Sequence, residues 1–522
     1  MSPASDQALH SVSFDYFLAR HRAERARDVA IVDGLTGESI TYGELDERVA
    51  RIAGWLTRQG IGHGDRIACL SPNTKSCMEF FLALARIGAV AVPLNLRLSP
   101  QELQFIVADS GAKVFFAASP LLELAEAAVA GSAAIRVRVL DGGSRDGWIP
   151  YADVASDQHP MIARDARVTG HTLFMLLYTR GTTGQPKGCM ILQRCWAGYA
   201  MHMASCFGMR PSDVYLAFLP FFHVAGFGTA FSQLILGGTV ITAPLPRPEF
   251  LYSLIARYHV SIVFFVPGIS AAFVFDEARK HTDTSSLRVF ISGAGVERPE
   301  LAEFVERNFG AKYYGIYGQT ESGGKVTWAT TEMIRADPAT YGHVLPFFDY
   351  RIAGEDGREL PVGQIGELCL RGDTVMAGYW NRPEDTAETL RGGWHHTGDL
   401  FVLTESGQLR MVDRKKYLIK TGGENVYPQE VELVLLRHPA VADAAVIGIP
   451  DTHWGEAVKA FIVLKAGASP SRREVADFVG KNIAAYKKPR YIAIVDAIPR
   501  NVSGKILKNE LVGRGTTSEQ KV

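Results

Sequence analysis

The segment from Leu177 to Gly188 combines glycines, hydroxyl side chains and one cation, and it reads LYTRGTTGQPKG. Glycines allow a loop to turn several backbone N–H groups inward, hydroxyls add further donors, and Lys187 supplies a positive charge. Together these groups suit a polyphosphate. The spacing does not match a Walker A loop, because no Gly-Lys-Ser/Thr follows four spacer residues. Taken alone, the segment could equally be an ordinary glycine- and threonine-rich surface loop.

Five further motifs follow this loop in order along the chain. They are Tyr317–Glu321 (YGQTE), Thr397–Asp399 (TGD), Asp413–Arg414 (DR), Gly422–Pro428 (GGENVYP) and Asn501–Lys505 (NVSGK). Loop and motifs together resemble those of the adenylate-forming superfamily, and within it the acyl-CoA synthetases, which are AMP-dependent carboxylate–CoA ligases. The resemblance covers nearly the whole chain, from about Thr41 to Leu511.

The resemblance implies an enzyme that activates a carboxylic acid. A carboxylate resists attack by a thiol because its charge repels nucleophiles and oxide is a poor leaving group. ATP converts it to an acyl-adenylate with release of pyrophosphate, and the CoA thiolate then displaces AMP. The implied small-molecule partners are a carboxylic acid, ATP, CoA and Mg²⁺. A stand-alone adenylation enzyme that loads a carrier protein, a luciferase-like oxidase and a catalytically silent nucleotide-binding homologue are the alternatives.

Three catalytic residues are implied by the resemblance. Lys505 would reach the α-phosphate and the substrate carboxylate from a mobile lid, and Glu321 would contact Mg²⁺, a hard cation that prefers oxygen ligands. His223 would lie near the carboxylate as an orienting aromatic group more than as a general base. A solvated lysine, a helix-capping acid and a core histidine are the respective structural alternatives.

The nucleotide contacts implied by the resemblance are spread over several motifs. Thr182 and Thr320 would contact phosphate, Asp399 and Arg414 the ribose, and Tyr317 the adenine ring. Taken singly, an aspartate in a Thr-Gly-Asp turn is often a turn former, and a lone tyrosine is often a core residue. The full predicted set comprises Thr179, Gly181, Thr182, Thr183, Gly184, Lys187, Gly293, Ala294, Tyr317, Gly318, Thr320, Asp399 and Arg414.

The resemblance implies roles for three more residues in the conformational change between the two reaction steps. The match at Arg414 places a hinge at Lys416, where a few backbone rotations could swing the lid from adenylation to thioester geometry. A plain charged linker is the alternative. Gly422 and Gly423 would line the tunnel for the pantetheine arm of CoA in the second state.

The segment Phe221–Gly228 corresponds to the wall of the acyl pocket in the family. Its residues are apolar or small, with no aspartate to pair an amino group and no evident arginine for a second carboxylate. We therefore expect an apolar fatty or aromatic acid. The chain departs from the family at Arg180, where serine is usual, and at Tyr417, where an acid is common. We expect the phosphate loop to bind ATP despite Arg180, because its other donors are present.

One regulatory expectation concerns Lys505. A lysine acetyltransferase acting there would remove the positive charge, and this should stop adenylation while largely sparing the thioester step. The sequence leaves the oligomeric state open, including a homodimer.

Composition excludes several classes of protein. The 522 residues include 55 Lys and Arg and 55 Asp and Glu, so the chain as a whole has no positive field for nucleic acid. No uncharged apolar run approaches the ~20 residues that span a bilayer, and the N-terminus lacks the features of a signal peptide. The six cysteines form no CxxC pair, which favours a reduced compartment. We expect a cytoplasmic protein without an integral membrane segment.

The elements that must position these residues follow an α/β pattern. A capping box at Thr41 and Glu44 begins a helix, and buried-strand and helix signals then alternate. After about Tyr341, short β-like runs between glycines indicate a small antiparallel sheet. We predict a large N-terminal domain of helix-covered sheets with this small β subdomain, residues 1–413, which binds AMP and the acyl group. A mobile α+β C-terminal lid, residues 414–522, completes the chain.

Overall fold

Strands occur along the whole described chain. The computed structural model describes residues 13–180, 185–267, 269–293, 299–500, 506–512 and 520–521. The strands, numbered along the chain, are β1 (Val29–Asp33), β2 (Ser39–Thr41), β3 (Arg66–Leu70), β4 (Val90–Pro93), β5 (Val114–Ala118), β6 (Val137–Asp141), β7 (Ile149–Pro150), β8 (Leu173–Arg180), β9 (Pro186–Leu192), β10 (Val214–Ala217), β11 (Thr239–Thr242), β12 (Ile262–Phe265), β13 (Val289–Gly293), β14 (Lys312–Ile316), β15 (Thr327–Thr330), β16 (His343–Val344), β17 (Phe348–Ala353), β18 (Ile365–Gly372), β19 (His395–Leu403), β20 (Leu409–Arg414), β21 (Ile419–Thr421), β22 (Glu424–Val426), β23 (Val441–Asp451), β24 (Gly455–Leu464), β25 (Tyr491–Ile494) and β26 (Gln520–Lys521).

Helices connect most of these strands. Numbered in the same way, they are α1 (Phe14–Arg25), α2 (Tyr42–Arg58), α3 (Lys75–Ile87), α4 (Pro100–Ser110), α5 (Leu122–Val129), α6 (Tyr151–Val154), α7 (Gln193–Phe207), α8 (Val224–Leu236), α9 (Pro248–Tyr258), α10 (Ile269–Val274), α11 (Pro299–Phe309), α12 (Thr331–Ala336), α13 (Pro383–Thr389), α14 (Pro428–Leu436), α15 (Arg472–Asn482) and α16 (Lys508–Val512). Among the described residues, none of the helices combines the length and apolar composition needed to cross a membrane.

Two large sheets form the first part of the molecule. One has seven strands in the order β7-β6-β5-β3-β4-β8-β9, and the other has nine in the order β16-β15-β14-β13-β12-β10-β11-β1-β2. Their central strands are parallel and buried, as helix-covered parallel sheets require. The predicted α/β class is confirmed.

Helix α3 lies in the core between these two sheets. The Thr74 hydroxyl accepts a hydrogen bond from the Cys77 N–H at its start, and Gly88, with φ 70°, ends it. Every residue from Cys77 to Ile87 is buried, and the helix contacts β4 of one sheet and β1 of the other. A helix that is buried on all sides must be a core element.

Several predicted elements occur where the sequence indicated. Thr41 and Glu44 form the expected capping box at the start of α2. The predicted strand Arg66–Leu70 coincides with β3. The predicted antiparallel subdomain is the four-stranded sheet β17-β18-β19-β20.

The chain changes sheets just after β20. A 3₁₀ turn at Lys415–Tyr417 leads from the four-stranded sheet into β21. Strands β21 to β26 form a separate sheet in the order β22-β21-β24-β25-β26, with β23 paired to β24. The predicted boundary between residues 413 and 414 therefore falls at the end of β20, beside this change of sheet.

Candidate active site

The predicted phosphate loop connects β8 and β9, which pair as an antiparallel hairpin. Thr179 lies opposite Lys187, and Arg180 lies opposite Pro186. Both Thr179 and Lys187 therefore stand where the hairpin opens into the loop. The predicted phosphate residues Gly181, Thr182, Thr183 and Gly184 lie outside the described residues, and their contacts stay predictions.

Lys187 and Glu321 meet in one polar cluster. The Lys187 ammonium forms an ion pair with Asp385 of α13 and lies 5.5 Å from the centroid of the Tyr379 ring. The Tyr379 hydroxyl donates a hydrogen bond of 2.9 Å to Glu321 Oε1. Burial, reinforced by the charge of Glu321, raises the pKa of Tyr379 far above its usual value, so this hydroxyl stays a donor.

This cluster brings together the predicted phosphate cation and the predicted metal ligand. Because the Glu321 carboxylate is only partly buried and supplies hard oxygen donors, it fits a Mg²⁺ ion. A polyphosphate would compete with Asp385 for the Lys187 ammonium. Sequence reasoning missed Asp385 and Tyr379, which belong to no recognised motif.

Asp399 lies at the centre of a second polar cluster. It is 1 % exposed, and its Oδ2 accepts hydrogen bonds of 2.7 Å from the Tyr317 hydroxyl and 2.6 Å from Gln319 Nε2. Arg414, directly across the ladder from Asp399, places Nε 3.3 Å from Oδ1. Burial, together with the charge of Asp399, raises the pKa of Tyr317, so its hydroxyl stays protonated and donates. Three side chains thus define the orientation of this carboxylate.

His395 determines the orientation of Gln319 in this cluster. Its Nε2 lies 3.2 Å from Gln319 Oε1, and burial lowers the pKa of His395 to about 4. The neutral imidazole can therefore donate to the amide oxygen, which leaves the amide nitrogen to donate to Asp399. Sequence reasoning missed both His395 and Gln319, although they flank or belong to the recognised motifs.

Tyr317 is more buried than a simple adenine platform requires. Its ring meets those of Phe401 and Tyr341 edge-on, with centroids 5.0 and 5.8 Å apart, and it is 7 % exposed. The structure therefore adds a positioning contact to Asp399, and the predicted adenine contact stays a prediction.

Close packing explains two of the predicted glycines. A Cβ on Gly293, at the end of β13, would lie 2.3 Å from Ile316 Cγ1, and a Cβ on Gly318 would lie 1.6 Å from the Gly324 carbonyl oxygen. Both positions are at the carboxyl ends of parallel strands, where α/β sheets usually bind ligands. Thr320 follows on the 3₁₀ turn that carries Glu321. Ala294 lies outside the described residues.

Glu367 connects the Asp399 turn to the segment after β20. Its Oε1 accepts a hydrogen bond of 3.0 Å from the Gly398 N–H, and its Oε2 lies 3.4 Å from Lys415 Nζ and 3.1 Å from Arg391. Glu367 also groups with Cys369 and His396, whose ligand atoms all lie within 4.8 Å. Because two cations already neutralise the carboxylate, we assign it a positioning role.

The predicted hinge residue lies on the exposed turn between the sheets. The Lys416 ammonium is 5.0 Å from the Tyr417 ring, and Lys508 Nζ is 5.1 Å from that same ring. Tyr417, the departure from the family pattern, thus places its aromatic ring beside two cations. An acid at the same position would form ion pairs with them. The hinge role of Lys416 stays a prediction.

Gly422 and Gly423 form the two-residue turn between β21 and β22. Their φ angles are 58° and 85°, and Thr421 pairs with Glu424 across the turn. Such a turn requires positive φ at both positions, which explains the glycine pair. A Cβ on Gly422 would also lie 2.7 Å from Trp454 Cε3. The pantetheine role stays a prediction.

His223 directly precedes α8. Its side chain is exposed, yet protein surrounds it, and this desolvation, with the nearby charge of Arg97, lowers the pKa of His223 to about 4. The imidazole is therefore neutral near neutral pH, which suits an orienting role. Lys505 lies outside the described residues, so its predicted catalytic role stays a prediction.

Comparison with known proteins assigns the family. The pattern of the AMP-binding enzyme family matches residues 18–380, and that of the AMP-binding enzyme C-terminal domain matches residues 430–505. The chain belongs to the family of AMP-binding enzymes. The feruloyl-CoA synthase of Amycolatopsis sp is 36 % identical over 91 % of this chain and 94 % of its own length. A long-chain-fatty-acid–CoA ligase of Mycobacterium tuberculosis is 34 % identical over 92 % of this chain and 94 % of its own.

The fold of this AMP-binding enzyme is also similar to those of solved structures. ATP-bound MatB from Rhodopseudomonas palustris has a TM-score of 0.85 and 29 % identity, covering 96 % of this chain and 99 % of that one. The predicted resemblance to the adenylate-forming superfamily is confirmed, as is the prediction of an enzyme of the acid–thiol ligase class.

Proposed function

We propose that this AMP-binding enzyme is an ATP-dependent carboxylate–CoA ligase that forms an acyl-adenylate and transfers the acyl group to CoA. One observation carries the proposal: the segment Tyr317–Glu321 joins both polar clusters. Its Tyr317 and Gln319 bind Asp399, and its Glu321 accepts from Tyr379, which lies beside Lys187. A single short segment thus links the proposed ribose carboxylate to the proposed phosphate cation.

In the first step, an oxygen of the substrate carboxylate attacks the α-phosphorus of ATP, and pyrophosphate leaves. Negative charge accumulates on the phosphate oxygens, so fixed cations there supply much of the catalysis. Lys187 would hold the leaving phosphates and Lys505 the α-phosphate and the carboxylate. Asp399 and Arg414 would hold the ribose. Mg²⁺, when bound at Glu321, neutralises phosphate charge.

In the second step, the thiolate of CoA attacks the acyl carbon, and AMP leaves as the thioester forms. Backbone rotation at Lys416, in the exposed turn between the two sheets, would move the lid from its adenylation geometry to its thioester geometry. Gly422 and Gly423 would then line the path of the pantetheine arm. Adenylate formation and thioester formation therefore use different residues of the lid.

The acid is proposed to have an apolar fatty or aromatic body. Phe221, Phe222 and Val224 flank His223 in the chain and are buried, which supports an apolar wall. The described cysteines are all free, which supports a cytoplasmic, reducing location.

A screen of adenylate formation tests this function. Hydroxylamine traps acyl-adenylates as hydroxamates, so aliphatic and aromatic acids can be compared with ATP and Mg²⁺ present. We expect hydroxamate with a subset of the acids. With these acids, AMP release should depend on CoA. Transfer to a carrier protein in place of CoA would favour the carrier-loading alternative. ATP binding without hydroxamate from any acid would contradict the proposal.

A further inference from the structure

The amine of Lys325 is buried in the protein. It is 2 % exposed, and no carboxylate within the described ranges lies at ion-pair distance from it. Its Nζ donates a hydrogen bond of 2.9 Å to Thr229 Oγ1 and also hydrogen-bonds the Tyr199 hydroxyl. Two aromatic faces complete its surroundings, with Nζ 4.2 Å from the Tyr199 ring centroid and 4.6 Å from that of Phe264.

This placement is costly for a charged lysine. Burial lowers the pKa of Lys325 far below its usual value, because it disfavours the charged form of the amine. The ionisable neighbours supply no negative charge, because burial lowers the pKa of His202 to about 4 and raises that of Tyr199 above its usual range. A methionine would fill the same space without this cost, so the amine needs a functional explanation.

The Lys325 amine lies next to the segment Phe221–Gly228, which corresponds to the wall of the acyl pocket, because it donates to Thr229, the following residue. A Cβ on Gly228 would lie 2.7 Å from the Tyr199 ring, and a Cβ on Gly324 would lie 2.9 Å from it and 3.1 Å from Val224. The Tyr199 ring thus packs against both glycines and against the residue that follows His223. Thr229, which accepts from Lys325, lies on α8 six residues beyond His223, so Lys325 adjoins this wall away from the residue predicted to lie near the carboxylate.

We infer that Lys325 determines substrate specificity by binding an ionisable oxygen, a phenolic hydroxyl or a second carboxylate, at the far end of the acyl group. This inference rests on the proposed ligase function and narrows its substrate class: the body of the acid is apolar, and its distal end is acidic. A phenol can donate to the neutral amine or transfer its proton to it, and a carboxylate can pair with the ammonium. Tyr199 and Thr229 would hold the amine in place. Lys325 follows two glycines and belongs to no recognised motif, so no sequence signal marks it.

Matched acids test the inference directly. Hydroxamate formation is measured with 4-hydroxycinnamate, 4-carboxycinnamate and unsubstituted cinnamate, for the native protein and for Lys325→Met. We expect the native protein to favour at least one of the two acidic analogues over cinnamate by about tenfold or more in kcat/KM. In Lys325→Met this ratio should fall to about one, mainly through a higher KM, while cinnamate itself is retained. Lys312→Met, at an exposed lysine on β14, serves as the control and should leave the ratio unchanged.

The possible outcomes test the role of Lys325 and the proposed ligase function independently. A native ratio near one, or the same ratio in Lys325→Met as in the native protein, overturns the inference while hydroxamate formation upholds the ligase. No hydroxamate from any acid overturns the proposed function. If Lys325→Met does not fold, Tyr199→Phe removes one hydrogen bond of the amine and should lower the native ratio, and an unchanged ratio there counts against the inference.

Discussion

At the scale of single residues, Asp399 is the most constrained member of the site. Its carboxylate is buried and bonded by Tyr317, Gln319 and Arg414. Replacement by the isosteric Asn keeps the shape but removes the charge. Because a hydrogen bond to a charged group contributes roughly 1.5–3 kcal/mol, we expect Asp399→Asn to raise the KM for ATP by at least about tenfold. Steady-state adenylation at varied ATP concentration measures this.

The control for that prediction is Asp349→Asn. Asp349 is also an aspartate of the four-stranded sheet, exposed and paired with Arg371 at 2.8 Å. Its replacement should leave the KM for ATP unchanged. An Asp399→Asn protein that folds and binds ATP like the native chain would show that this carboxylate does not contact the nucleotide.

Arg180 is the residue at which the phosphate loop departs from the family. It ends β8 and pairs with Pro186 at the mouth of the loop. Because the other donors of the loop are present, we expect Arg180→Ser to change the Kd for ATP by no more than about threefold, below 1 kcal/mol. Titration calorimetry measures this. A large gain in affinity on restoring serine would mean that Arg180 impairs the site.

At the scale of elements, the turn between β21 and β22 offers a matched pair of variants. Both glycines have positive φ, which costs an alanine about 1–2 kcal/mol, but only Gly422 also faces the Trp454 ring. If this turn lines the path of CoA, Gly422→Ala should slow thioester formation more than Gly423→Ala does, and neither should slow adenylation. Single-turnover rates of each half-reaction measure this. Equal loss in both half-reactions would reject the assignment.

Local signals predicted the elements better than they predicted the contacts between them. The capping box at Thr41 and the buried run at Arg66–Leu70 depend on neighbours in sequence, so periodicity and capping chemistry were sufficient. The ion pair of Lys187 with Asp385 depends on where α13 packs, which no local pattern encodes. Lys325 was missed for the same reason, since its burial follows from the packing of α7 and α8 and not from its own surroundings in sequence.

At the scale of the whole molecule, buried neutral histidines make stability depend on pH. Burial lowers the pKa of His202 to about 4, against 6.5 unfolded, so the unfolded chain binds the extra proton between these values. Stability should therefore fall as the pH decreases from about 6.5 to 4. At about 1.4 kcal/mol per pH unit, His202 should contribute a loss on the order of 2 kcal/mol by pH 5.

Urea unfolding of variants isolates this contribution. The loss of unfolding free energy between pH 7 and pH 5 should be smaller in His202→Gln than in the native chain by about that amount. His281→Gln, at an exposed histidine, is the control and should behave like the native chain. A loss of the same size in His202→Gln as in the native protein would show that His202 is not held neutral.

In the proposed mechanism, two separate parts of the molecule supply positive charge to the triphosphate. Lys187 belongs to the hairpin of a large sheet, and Lys505 comes later in the chain than the turn at Lys415–Tyr417 and strand β25. Only adenylate formation needs both cations, because AMP is already bonded to the acyl group when CoA attacks. The two half-reactions should therefore respond differently to the loss of Lys505.

The most direct measurement compares these half-reactions in Lys505→Ala, with Lys465→Ala at an exposed lysine as the control. Adenylation is followed by hydroxamate formation from acid and ATP, and thioester formation is followed from pre-formed acyl-adenylate and CoA. We predict that Lys505→Ala lowers adenylation by at least about a hundredfold, since one fixed electrostatic donor contributes that much, and leaves thioester formation within a few-fold of native. Equal loss of both half-reactions, or adenylation at the native rate, would contradict the account.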